Sequence, residues 1–91
     1  MTERRVIVGS RVGLHARPAA LFVQAASRRS VLVTVAKDGA DPVDARSILS
    51  LIGLGAACGD EVILSAHGEG AEAALDELAA LLAADLDSEA G

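Results

Sequence analysis

The chain has 91 residues, 52% of them hydrophobic, one aromatic (Phe22) and a net charge of −5. That length suits one domain with one core. The acidic balance and the lack of Trp and Tyr exclude a general nucleic-acid binder, and one cysteine, Cys58, excludes an internal disulfide and a Cys-cluster zinc site. We therefore expect a single domain over residues 1–91, frayed over 87–91, monomeric and cytoplasmic. The start, Met1-Thr2-Glu3-Arg4-Arg5, leads into a strand-like run rather than a signal peptide, and no apolar run is long enough for membrane insertion.

In chain order, Arg5–Val8 reads as a strand closed by Gly9-Ser10. Residues 9–13 form a loop. Ala16–Ser27 reads as a helix, Ala-rich, without interior Gly and followed by the cationic Arg28-Arg29. Its apolar residues run nearly all round, which suggests that part of it faces a partner. Val31–Ala36 is a second strand, and 37–42 is turn material. Val43-Asp44-Ala45 returns as a third strand, so 31–45 is a hairpin with Pro42 at an edge or in the turn. Ser47–Leu54 is a short helix with Asp44 or Ser47 near its start. Glu61–Ala66 is the last strand, and Ala71–Ala84 a terminal helix with Ala71, Leu75, Leu78 and Leu82 at helical spacing. The order β-α-β-β-α-β-α points to an α+β fold, an antiparallel sheet with helices on one face.

Three possible sites fail on context. Gly53, Gly55 and Gly59 follow a helix and precede a strand, the reverse of the dinucleotide fingerprint, and read as a helix end and turn. His67 has no second ligand at metal-binding spacing, so no metal site is expected. Cys58 has no neighbour that marks it as activated.

Gly13-Leu14-His15-Ala16-Arg17-Pro18-Ala19-Ala20 differs, because its residues agree with one another. Pro18 suits the first turn of a helix, which places His15 at or beside the N-cap. The first N–H groups of a helix lack intrahelical partners and form an anion site. Arg17 adds a cation where the helix dipole disfavours one, which implies a negative charge the chain does not supply. Charge is also uneven: residues 1–29 carry +5 and residues 30–91 carry −10. A basic face near His15 would attract an acidic surface or a phosphate; scattered surface arginines are the plain alternative. An imidazole of ordinary pKa, about 6.5, is mostly neutral at pH 7 and can attack phosphorus. The N–H donors and Arg17 would then hold the phosphoryl group, with charged hydrogen bonds contributing about 1.5–3 kcal/mol each. No second acid or base lies nearby in sequence, as a hydrolase needs. The residues alone leave two readings, a phosphoryl-carrying histidine and a histidine that only caps a helix.

This stretch resembles the active-site motif of the HPr family, the histidine-containing phosphocarriers of the bacterial phosphotransferase system. The likeness extends over nearly the whole chain: Gln24-Ala25-Ala26-Ser27, Arg46-Ser47-Ile48, Leu54-Gly55 and Gly59-Asp60-Glu61-Val62 continue it in register. The resemblance implies an open-faced β-sandwich, a four-stranded antiparallel sheet covered on one face by three helices. It implies a phosphoryl carrier rather than an enzyme, without cofactor. His15 would accept phosphate on Nδ1 from phosphorylated enzyme I and pass it to sugar-specific IIA components, with Arg17 and the backbone N–H groups of Ala16 and Arg17 stabilising it. Ala20, Gln24, Ser27, Ile48, Leu49 and Ile52 would form the docking face.

The chain departs from the family pattern at Val12, where a polar residue often helps position the site, and in a turn one residue longer before Ser47. Ser47 matches the serine that an ATP-dependent kinase phosphorylates in some bacteria; added charge on the docking face would weaken transfer. Its plain alternative is a helix cap. The competing functional reading is a regulatory paralogue of the same fold, of nitrogen-type phosphotransferase or acting through Ser47.

Overall fold

Four strands pair in the order β1-β4-β2-β3, every neighbouring pair antiparallel: β1 (Thr2–Ile7), β2 (Val33–Lys37), β3 (Val43–Asp44) and β4 (Glu61–Ala66). The computed structural model describes residues 2–9, 16–29, 31–37, 39–57 and 59–83, with the backbone alone at 16–18. Three helices, α1 (Ala16–Ser27), α2 (Ile48–Gly53) and α3 (Ala71–Ala83), complete the expected element order.

The strands alternate as a half-buried sheet must. Val6, Val62, Leu64, Ala66, Val33 and Val35 are buried, while Ile63, Ser65, Thr34 and Ala36 between them are only partly covered. α3 lays Ala71, Ala74, Leu75, Leu78 and Leu82 on the core at three- and four-residue spacing, and α1 contributes Ala19, Phe22, Ala25 and Ala26. The result is the open-faced sandwich that the resemblance implied.

Boundaries moved where pairing overrode local propensity. β1 starts at Thr2 and ends at Ile7, rather than running from Arg5 to Val8, because β4 offers partners from Ala66 down to Glu61. The polar start is tolerated because Glu3 and Arg5 face solvent, while Arg4 reaches α3, 3.2 Å from Asp76 and 3.7 Å from Glu72. β2 starts at Val33, not Val31, since Val33 is opposite the last residue of β4, Ala66. β3 shrinks to Val43–Asp44, and Ala45 turns away with its N–H on the Val33 carbonyl. α2 spans 48–53 with Ser47 outside it as cap, and Ala84 lies outside the described residues, as does the frayed end expected at 87–91.

Candidate functional site

α1 begins at Ala16, directly after His15 in sequence, and has no acidic side chain in its first turn. Its opening N–H groups therefore have neither intrahelical partners nor an internal carboxylate. His15, Val12 and Arg11 lie outside the described residues, as does the side chain of Arg17; Cys58 lies outside too. The described part of the site is the backbone at the start of α1, the chain up to Gly9 and the helical surface beside α1.

α1 packs on both α2 and α3. Its apolar surface is mostly used internally: Ala19, Phe22, Ala25 and Ala26 are buried, and Ala20, Leu21 and Val23 partly so. The unspent apolar surface expected on α1 is instead on α2. Leu51 is fully buried there, while Ile48 (37% exposed), Leu49 (80%) and Ile52 (38%) face out. Ile48 and Ile52 are four residues apart, so they stack on one side of the helix. Gln24 and Ser27 are exposed on the neighbouring α1, with Ala20 partly covered. All six residues expected at a docking face thus belong to two helices in contact.

Ser47 caps α2 in an extended conformation (φ −103°, ψ 106°), accepting the Ser50 N–H at 3.3 Å and donating its hydroxyl to Ser50 Oγ at 3.0 Å. The turn before it is held by Asp44, whose carboxylate accepts the Arg46 N–H at 2.8 Å and meets the Arg46 guanidinium at 3.0 Å. The guanidinium first, then that backbone N–H, hold the Asp44 carboxyl below the usual carboxylate range.

Part of the N-terminal positive charge is paired within the protein. Arg4 pairs with Glu72 and Asp76, Arg5 with Glu61, and Arg29 with Glu77 at 2.7 Å. Three of the six N-terminal arginines are thereby matched to acids far along the chain, which local sequence cannot reveal. His67 is exposed, at the rim of a shallow hollow with Leu32, Thr34 and Ser65. No group of His, Cys, Asp or Glu among the described residues could hold a metal ion, and no described helix is long and apolar enough to cross a membrane.

Sequence reasoning missed the anchoring of the chain that leads to His15. Val8 is buried; its N–H donates to the Asp60 carbonyl and its own carbonyl accepts the Gly59 N–H, both at 2.9 Å. Gly9 donates its N–H to the Leu82 carbonyl at 2.9 Å. No periodicity or motif signals these contacts, because each joins residues more than fifty positions apart.

Residues 2–84 match the family model described as the PTS HPr component phosphorylation site. The phosphocarrier protein HPr of Streptomyces coelicolor is 54% identical over 87 residues, 96% of this chain and 94% of that protein. The HPr-like protein Crh of Bacillus subtilis is 48% identical over 88% of this chain and 93% of its own. The crystal structure of a phosphocarrier protein HPr from Bacillus anthracis superposes with a TM-score of 0.84 at 41% identity, over 89% of this chain and 95% of that one. A helix opening directly behind a histidine, on a four-stranded sheet with the β1-β4-β2-β3 order, thus coincides with likeness along the full motif, and the chain belongs to the HPr family of phosphotransferase-system phosphocarriers.

Proposed function

We propose that the protein is the carrier between phosphorylated enzyme I and the sugar-specific IIA components, with His15 as acceptor and no catalytic turnover of its own. The observation that most supports this is that α1 opens at Ala16, immediately behind His15, without an acidic side chain in its first turn. In the neutral imidazole with its proton on Nε2, the Nδ1 lone pair attacks phosphorus. The Nδ1–P bond forms as the bond to the donor breaks, and the donor group keeps that electron pair. Three phosphoryl oxygens then face the Ala16 and Arg17 N–H groups and the Arg17 guanidinium. The same group leaves in the reverse sense to a IIA acceptor, so the bond must stay labile. Partners approach over Ile48, Leu49 and Ile52 with Ala20, Gln24 and Ser27, a mixed apolar and polar surface suited to transient docking. We place the protein in the cytoplasm as a monomer.

Incubation with enzyme I and phosphoenolpyruvate tests the reading. One acid-labile, base-stable phosphate per chain is expected, and His15→Ala removes it. The similarity to Crh favours one second reading, a regulatory paralogue acting through Ser47. That protein would take an acid-stable label at Ser47 from an ATP-dependent serine kinase and none at His15.

A further inference from the structure

The chain is gripped just before it leaves the sheet for the His15 segment. On one side, the Gly59–Asp60 turn brackets Val8 with two hydrogen bonds of 2.9 Å. That turn is itself closed by the Asp60 carboxylate, which accepts the Ala57 N–H at 2.9 Å and faces Lys37 Nζ at 3.3 Å. On the other side, α3 lies on Gly9, whose N–H donates to the Leu82 carbonyl at 2.9 Å. The approach leaves no room for a side chain. A Cβ on Gly9 would lie 2.7 Å from the Ala83 carbonyl carbon and closer still to its oxygen. Gly9 does not have a positive φ, so space rather than backbone conformation calls for glycine here.

We propose that this two-sided clamp on Val8–Gly9 is a positioning device for phosphoryl transfer, fixing where the segment carrying His15 starts. The inference rests on the carrier reading. Gly9 and Asp60 touch no phosphate; they act through the backbone between residue 9 and the start of α1. Only five residues of chain separate Gly9 from His15, and α1 anchors the far end. Accommodating a Cβ requires the backbone at Gly9, at Ala83 or at both to shift by about 1 Å, and a shift at Gly9 moves the root of that segment. A misplacement of about 1 Å can slow a transfer reaction roughly a hundredfold.

The test compares full-length Gly9→Ala, Asp60→Ala and Val33→Ala with the parent. Val33→Ala opens a core cavity at the opposite end of the sheet, beside Ala66, and controls for lost stability. Three quantities are read: the transfer rate from phosphorylated enzyme I, the urea midpoint, and the amide and His15 ring shifts by NMR. Gly9→Ala is expected to transfer about tenfold or more slowly, with shifts displaced over residues 10–17, and Asp60→Ala to follow in the same direction. Val33→Ala should keep the parent's rate and segment shifts despite a comparable loss of midpoint. Parent-like rates and shifts in both Gly9→Ala and Asp60→Ala, with changes confined to residues 81–83 or 57–60, overturn the proposal. If Gly9→Ala does not fold, Asp60→Ala decides alone. If the parent takes no phosphate at all, the carrier reading fails separately, and the shifts over 10–17 still decide whether the clamp positions the segment.

Discussion

Leu49 and Leu51 are two residues apart on one short helix, and truncating each should break a different property. Leu→Ala removes three carbons, worth about 2.4 kcal/mol of transfer free energy when wholly buried at ~0.8 kcal/mol each. Leu49 is 80% exposed in the free protein, so only about 0.5 kcal/mol of that can be lost on folding and about 2 kcal/mol remains for a partner to bury. Full burial in a complex corresponds to a loss of about 30-fold in affinity. Leu51 is fully buried, and its truncation adds a cavity, for a total of about 2–5 kcal/mol of stability. Steady-state transfer from enzyme I, with the carrier as varied substrate, should show KM for Leu49→Ala raised between about fivefold and 30-fold at nearly constant kcat, with a melting temperature lowered by no more than about 4 °C. Leu51→Ala should melt more than ~10 °C lower, yet keep a KM near the parent's at temperatures where it is folded. A parent-like KM for Leu49→Ala would refute α2 as the docking surface. A large drop in its melting temperature would refute the exposure on which the calculation stands.

Three further outcomes follow from individual contacts. The Ala57 N–H first, then Lys37, hold the Asp60 carboxyl below its ordinary range, and Asp44 is lowered by Arg46. Groups lowered on folding stabilise the native state above the unfolded carboxylate pKa and lose that contribution as pH falls, so the urea midpoint should decline below about pH 4, less steeply in Asp60→Asn. Gly55 follows α2 at φ +67° with open space around it, so Gly55→Ala should cost about 1–2 kcal/mol in chemical denaturation, from backbone conformation alone. Arg29 joins the end of α1 to Glu77 of α3 at 2.7 Å; Arg29→Gln should cost up to about 1 kcal/mol at low salt, and the difference from the parent should narrow in 1 M salt.

α1 and β4 occupy the residues the sequence assigned to them, because both ends of each carry local signals: Pro18 and Arg28-Arg29 for α1, Gly59 and Gly68 for β4. β2 lost Val31 and Leu32 because a strand ends where its partner does, and β-branched residues do not report where that is. The motif from Gly13 to Ala20 was legible as a helix start, and Ser47 as a cap of α2, since both depend on neighbours in sequence. The placement of excess apolar surface was not legible. Alanines pack flush against any neighbour, so α1 could be either inward or outward, and only assembly with α2 and α3 decided it. The pairings of Arg4, Arg5 and Arg29, and the closeness of Gly9 to α3, depend on which distant segments the sheet order brings together.

That order has a consequence for how the protein is made. The strand synthesised last lies between the first two, with Thr2 facing Ala66 across one ladder and Val33 facing Ala66 across the other. Neither neighbour can pair with β4 until the ribosome has released residues up to 66, so β1 emerges long before the strand it pairs with, while β2 already has β3. Such distant pairing slows the search for the native topology. A fragment ending before Glu61 should give the circular dichroism of a coil, and no peptide excised around His15 should stand in for the whole protein.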